Sequence, residues 1–175
     1  MQPGNEHYNG FIRINAPNLF RSGCVKNLKQ TFGENHELKY VNVSNWNVSN
    51  VTDMSFMFRF CYELKSVGNL CKWNVSNVTT FKQMFVNCRN LTYIGDLSNW
   101  NAPKCINAEF MFGGDSKVDK MRFTSLTLNN LFKNGIVEKI NCMFQKCYDL
   151  ESVGNLDDWN TSNVTDMLYM FNWCY

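Results

Sequence analysis

The sequence predicts an α/β solenoid of about six strand–turn–helix repeats, each 26–32 residues long. An aromatic residue opens each repeat, a phenylalanine follows it after twelve residues, and apolar residues between them recur at helical spacing. The opening residues are Phe20, Trp46, Trp73, Trp100, Phe132 and Trp159. The phenylalanines, called here the Phe column, are Phe32, Phe58, Phe85, Phe112, Phe144 and Phe171. Residues 19–175 are therefore predicted to form the repeat region, and residues 1–18 an N-terminal capping segment.

The composition is typical of a folded globular chain. The 175 residues are 45% hydrophobic and 18% charged, which excludes a disordered tail or a collagen-like rod. A net charge of +2 argues against a nucleic-acid binder driven by bulk charge. No apolar run approaches the roughly 18 residues of a membrane helix, and no secretory signal pattern is visible. We therefore expect no nucleic-acid partner and no insertion into a membrane.

The first half of each repeat is predicted to be helical. In the second repeat, Val51, Met54, Phe58 and Cys61 follow one another at steps of three or four, which places them on one helix face. The SNVTD segment around them supplies polar side chains that satisfy free amides at a helix start. The pattern predicts a short helix over 51–61 and over the equivalent residues of the other repeats.

The second half of each repeat is predicted to be extended. In the second repeat, Leu64 and Val67 are core positions of a short strand. Gly68 follows directly, as do Gly95 and Gly154 in later repeats, and is expected at a bulge or tight bend. One unit cannot bury its apolar side alone. We therefore expect the copies to stack in register, with equivalent residues packed on one another.

The repeat motif resembles a known family. The segments WNVSNVTDMSFMFRFCYEL from Trp46 and WNTSNVTDMLYMFNWCY from Trp159 are similar to the BspA-type leucine-rich-repeat family, also catalogued as a domain of unknown function in Mycoplasma lipoproteins. The resemblance covers about residues 19–175, and its motif is specific in four copies. It implies a leucine-rich-repeat-like solenoid and a non-enzymatic scaffold for protein–protein interaction, of the surface-adhesion type, at the cell surface.

A different setting is the alternative. Relatives of the family also occur in giant DNA viruses, and the missing signal pattern favours a chain made in the cytosol. The chain would then be a structural, minor capsid-like component of a large virus particle or of another cytosolically assembled complex. In both settings the expected partners are other protein chains.

No pattern predicts catalysis, a cofactor or a metal site. Motifs such as GxSxG, HExxH, the P-loop and GxGxxG are absent, so an enzyme is not expected. Cys61, Cys88, Cys147 and Cys174 recur once per repeat instead of as CxxC pairs. This spacing favours buried free thiols over disulfides or metal ligands, while the redox state of Cys24, Cys71 and Cys142 stays open.

One candidate protein-binding surface is the outward face of the predicted strands. Residues between the core positions are expected to point outward, where curved repeat proteins form extended binding surfaces. They are Lys39, Tyr40, Lys65, Thr92, Tyr93 and Glu151. Simple solvation of these side chains is an equally good interpretation.

Two further candidate regions are an insertion and the last layer. The fourth repeat carries five extra residues within 113–130, and added loop residues on a rigid scaffold are frequent contact sites, with drift in a decaying repeat as the alternative. Its cationic residues are Lys117, Lys120 and Arg122. The last apolar layer includes Trp173 and Tyr175, and a solenoid normally caps such a layer. We expect it to dock on another protein chain, or the chain to continue in the native gene.

Overall fold

The described structure contains strands but no helix. A computed structural model describes residues 12–115 and 120–175. Over this part of the chain the elements are β1 (Arg13–Asn15) and β2 (Tyr40–Asn42), which pair in parallel in one two-stranded sheet. The predicted α/β, leucine-rich-repeat-like solenoid of strand–turn–helix repeats is therefore wrong.

The segments predicted as helices are runs of reverse turns. In the second repeat the Met57 N–H donates to the Met54 carbonyl at 3.4 Å, and the Cys61 N–H donates to the Phe58 carbonyl at 3.1 Å. These bonds span three residues, whereas those of an α-helix span four. Phe56 has a φ of 60°, as the third residue of a type II turn requires. We call each such segment a turn ribbon; the six ribbons are 28–34, 54–60, 81–87, 108–114, 140–146 and 167–173.

The spacing of apolar residues does not distinguish the two structures. Met54 and Phe58 each open a four-residue turn, so both side chains point to the same side at a spacing that a helix would also give. All eleven non-glycine residues with positive φ in the described chain lie in the turn ribbons. The left-handed conformation therefore recurs regularly and replaces the helix.

Backbone hydrogen bonds join each ribbon to the next. From the first ribbon four N–H groups donate to carbonyls of the second ribbon or of the residue just before it, with N···O distances between 2.6 and 3.0 Å. The donors are Leu28, Gln30, Phe32 and Glu34, and the acceptors are Asp53, Ser55, Met57 and Arg59. The equivalent four donors bond across each of the other four junctions. These bonds between ribbons take the place of the internal bonds of a helix, which accounts for the failed helix prediction.

The core consists of columns in which equivalent side chains of successive repeats pack on one another. Successive rings of the Phe column stack with centroids 5.2–5.8 Å apart. The indole N–H of Trp73 donates to the Val43 carbonyl at 3.1 Å, and that of Trp100 donates to the Leu70 carbonyl at 3.0 Å. The predicted packing of equivalent residues on one another is thus observed, although it is built from turn ribbons instead of helices.

The expected glycine bends are confirmed. Gly68, Gly95 and Gly154 have φ of 85°, 102° and 81°, in the left-handed region that other residues avoid. A Cβ on Gly95 would also lie 3.0 Å from the Leu70 amide nitrogen, in addition to the side chain of Asn69. Glycine is therefore required in the three stretches that lead to Trp73, Trp100 and Trp159.

The predicted N-terminal capping segment is described only from residue 12 onward. Within it, β1 hydrogen-bonds to β2, and the Ala16 carbonyl accepts the indole N–H of Trp46 at 2.6 Å. The assignment of residues 1–18 as a cap remains a prediction.

Candidate functional site

A column of ring and guanidinium side chains runs along the outside of the stack. In five repeats the member of this outer column is the residue four positions after the phenylalanine of the Phe column. In the fourth repeat Arg122 takes this place, because Met121 bridges Cys147 and so sets Arg122 level with Tyr148. We call this set the cation–aromatic column; its members are His36, Tyr62, Arg89, Arg122, Tyr148 and Tyr175.

Members of neighbouring layers touch one another. The rings of His36 and Tyr62 stack with centroids 4.7 Å apart, and the Arg89 guanidinium carbon lies 4.2 Å from the Tyr62 centroid. At the other end, the Tyr148 and Tyr175 centroids are 5.6 Å apart. Stacking of this kind reduces the side-chain freedom that a partner would otherwise have to remove on binding.

A pocket opens in the middle of this column. Its volume is about 270 Å³, and it is lined by Tyr62, Glu63, Arg89, Asn90, Lys120 and Arg122. Asn90 donates its side-chain amide to the Tyr62 carbonyl at 3.1 Å, which ties the second and third layers together at the pocket wall. Among the described residues that line the opening, three carry a positive charge and one carries a negative charge.

The cations contributed by the fourth repeat are exposed. Lys120 places its ammonium 5.1 Å from the Tyr148 ring centroid. Among the described residues, no carboxylate pairs with Lys120 or Arg122. Both charges can therefore meet an anion without first breaking an ion pair in the described part of the chain.

A second cation–aromatic cluster adjoins the column. The Arg59 guanidinium carbon lies 4.0 Å from the Phe60 centroid and 5.5 Å from that of Phe56, and one of its nitrogens is 3.3 Å from a Glu34 carboxylate oxygen. The Phe60 and Tyr62 rings are 5.9 Å apart. The Glu34 carboxylate neutralises this arginine, so the cluster offers apolar surface more than charge.

The residues predicted on the strand face are only partly brought together. Lys39 and Lys65 lie in adjacent layers, joined by a backbone hydrogen bond of 2.8 Å. The Glu151 N–H bonds instead to the Thr124 carbonyl, also at 2.8 Å. Most of the set is solvent-exposed, and Lys39 is half-buried. The exposed members are Tyr40, Lys65, Thr92, Tyr93 and Glu151.

The insertion and the last layer contribute to the column. Lys120 and Arg122 line the pocket, whereas Lys117 lies outside the described residues. Trp173 and Tyr175 are 50% and 80% exposed, and their rings pack around Tyr148. The structure thus places four predicted residues of separate regions on one side of the stack.

Sequence reasoning missed Tyr62, Arg89 and Tyr148. The signal was available in the repeat alignment, since the position four after the Phe column holds histidine, tyrosine or arginine wherever the register is uninterrupted in the described chain. The fourth-repeat insertion interrupts this register, and only the pairing of Met121 with Cys147 shows that Arg122 restores it.

The cysteines are free thiols, and most are buried. Burial raises the pKa of Cys61 from 9.0 to about 12 and is the main reason that the pKa of Cys88 lies well above its ordinary value. The Cys61 thiol donates to the Phe32 carbonyl at 3.1 Å, and the Cys88 thiol donates to the Phe58 carbonyl at 3.0 Å. Within the described residues no group of three or more His, Cys, Asp or Glu side chains is placed to hold a metal ion. No helix there is long and apolar enough to cross a membrane.

Comparison with known proteins gives a family. The model of the family described as "Mycoplasma protein of unknown function, DUF285" matches residues 12–125 and 116–175, which together span nearly the whole chain. The chain belongs to this family. Neither the curated proteins nor the solved structures contain a match to this DUF285 protein. Membership is compatible with a repeat-type binding protein.

Proposed function

We propose that this DUF285 protein is a non-enzymatic repeat scaffold that binds other proteins, of the surface-adhesion type. The cation–aromatic column carries the proposal. Its tyrosines and arginines belong to the residue types that supply most binding energy at protein interfaces. The resemblance of the repeat motif to the BspA-type family supports the adhesive role.

The framework suits a binding surface because its backbone is fixed from layer to layer. Four N–H groups of each of the first five ribbons are bonded to the next layer, so outward side chains start from defined positions. Arg89 and Lys120 lie against the Tyr62 and Tyr148 rings in the free protein. Pre-organisation of this kind lowers the entropic cost of binding.

Site-specific photo-crosslinking tests the proposal. Benzoylphenylalanine in place of Tyr148 should crosslink to the same identified protein in repeated captures from surface fractions of the source cells. The matched control carries it at Ile136, which is 49% exposed and lies outside the column. The purified partner should then bind the unmodified chain directly. Equal capture at both positions, or none at Tyr148, would refute the proposal.

A structural component of a large assembly is the second candidate, and one observation favours it. In the sixth layer Phe171 is 46% exposed, whereas Phe85 in the third layer is fully buried. In the sixth layer the N–H groups at the positions that bond to a following layer elsewhere in the stack are those of Met167, Tyr169, Phe171 and Trp173. Another protein chain, or further residues of the native chain, could cover this layer with a matching row of carbonyls, as in strand addition.

Sedimentation at rising protein concentration tests this second candidate. The chain should associate, whereas a variant with Phe171→Glu and Trp173→Glu should stay monomeric. Mass spectrometry of purified particles should also detect the protein. A chain that stays monomeric throughout, together with its absence from particles, would exclude the structural role.

A further inference from the structure

We infer that the pocket at the centre of the cation–aromatic column binds a carboxylate-rich segment of a partner protein. The inference rests on the proposed function and specifies the chemistry of the partner. It joins two features of the structure: the balance of charges around the pocket and the covered ring faces beside it.

The charge balance selects an anion. Arg89, Lys120 and Arg122 line the opening, and Glu63 is the one acidic residue among the lining residues that the structure describes. Lys120 and Arg122 reach this opening from the fourth repeat without a carboxylate partner in the described chain. Charge-assisted hydrogen bonds to ammonium and guanidinium groups are the strongest that a partner carboxylate can make here.

The covered rings argue against a nucleic acid. Single-stranded nucleic acids bind where bases stack on free aromatic faces. Tyr62 has His36 in the layer before it at 4.7 Å and Arg89 in the layer after it at 4.2 Å, so both of its faces are covered. A net charge of +2 also gives little of the general phosphate attraction on which such proteins rely.

The size of the pocket argues against a cofactor. Sites for small molecules usually enclose about 300–1,000 Å³. This pocket, of about 270 Å³, is smaller than that range and is open to solvent on the outside of the stack. It has room for one or two acidic side chains, while the rest of an extended peptide can lie along the exposed column.

Fluorescence anisotropy with a labelled hexaglutamate peptide tests the inference on the full chain. The peptide should bind, a hexaglutamine peptide of the same length should not, and binding should weaken as salt rises from about 0.05 to about 0.5 M. The variant with Lys120→Gln and Arg122→Gln should lose at least about tenfold in affinity, because two charge-assisted contacts are removed. Both side chains are exposed, so the fold should survive, and far-ultraviolet circular dichroism checks this.

The matched control carries Lys26→Gln and Lys72→Gln. Both side chains are exposed and neither lines the pocket, so two cations are removed without a change at the site. Equal affinity of the two double variants, or equal binding of the two peptides, would overturn the inference. Tighter binding of a labelled oligothymidine than of hexaglutamate would overturn it in favour of a nucleic acid.

The two proposals fail in different ways. If the double variant still crosslinks through position 148 to the same partner at full yield, the pocket inference is wrong and the scaffold proposal stands. If no protein is captured at position 148, the scaffold proposal is wrong, whatever the peptide measurements show.

Discussion

Replacing one phenylalanine of the Phe column with alanine should lower the free energy of unfolding by an amount that depends on the layer. Phe85 is fully buried, and the Phe58 and Phe112 rings stack on it at 5.2 and 5.8 Å. Phe171 is 46% exposed and stacks on Phe144 at 5.2 Å. The two positions therefore allow the same substitution with and without a described layer on the far side.

The expected magnitudes follow from burial and ring contacts. Phe85→Ala removes a fully buried ring and should lower the free energy of unfolding by about 3–5 kcal/mol. Phe171→Ala removes a ring that is half exposed and has one stacking partner, so the loss should be about 1–2 kcal/mol. Since domains are stable by only about 5–15 kcal/mol, the first change removes a large part of the total.

Urea unfolding followed by tryptophan fluorescence measures both losses. The slope of the free energy of unfolding against urea concentration must also be compared between each variant and the unmodified protein, because a stack of repeats can depart from all-or-none unfolding. Phe85→Leu keeps most of the apolar volume and should cost no more than about 1.5 kcal/mol. Equal losses for Phe85→Ala and Phe171→Ala would refute the ordered file of rings.

Three further predictions concern three thiols and a glycine. Exposed Cys24 should react with a thiol reagent in the folded protein at neutral pH, whereas buried Cys88 should react only on unfolding; equal rates by peptide mass spectrometry would contradict the packing. The pKa of Cys61 is 9.0 without burial and about 12 when folded, so between these pH values only the unfolded chain releases this proton. Its contribution to stability should be complete below pH 9.0 and should fall by about 1.4 kcal/mol per pH unit above it, a component that Cys61→Val removes in urea titrations. Gly95→Ala should cost about 2 kcal/mol because φ is 102°, whereas Gly135→Ala, without a positive φ, should cost less; equal losses would exclude the left-handed bend.

The sequence was sufficient to predict which side chains pack together. Packing in columns depends on the spacing between copies, and that spacing is visible in the chain whatever backbone connects the residues. Phe58 on Phe85 and Trp73 beside Trp100 are examples, with ring centroids 5.2 and 6.2 Å apart. The bends at glycine were predictable for another reason, since glycine adopts left-handed backbone conformations that other residues avoid.

The backbone of the first half-repeat was not predictable from the same spacing. Successive four-residue turns and a helix both place Met54 and Phe58 on one side, and the decisive left-handed residues carry no glycine signal. Phe56 and Phe60 adopt φ near 60° although bulky residues avoid this region. Hydrogen bonds to the neighbouring ribbon and burial of the column outweigh this local cost of about 1–2 kcal/mol per residue.

The candidate site was half predicted. Lys120 and Arg122 were proposed as contact residues because they lie in an insertion, but their partners in the pocket come from the second and third repeats. Tyr62 and Arg89 occupy a column whose chemistry changes from ring to cation, and a search for identical residues overlooks such a column. The three-dimensional register, fixed by the bridge between Met121 and Cys147, is what unites them.

The restricted chemistry of the cation–aromatic column argues that it has a role beyond solvation. Solvent accepts many kinds of side chain, and another column of the stack shows that freedom. It is formed by the residue six positions after each opening aromatic residue, is mostly exposed, and consists of Lys26, Thr52, Thr79, Ile106, Glu138 and Thr165. The cation–aromatic column instead holds only rings and guanidinium groups, in direct contact across several layers. Because the core and the backbone already hold the layers together, these contacts are not needed for stacking. Their regular presentation on one side is what a recognition surface for an anionic protein segment requires.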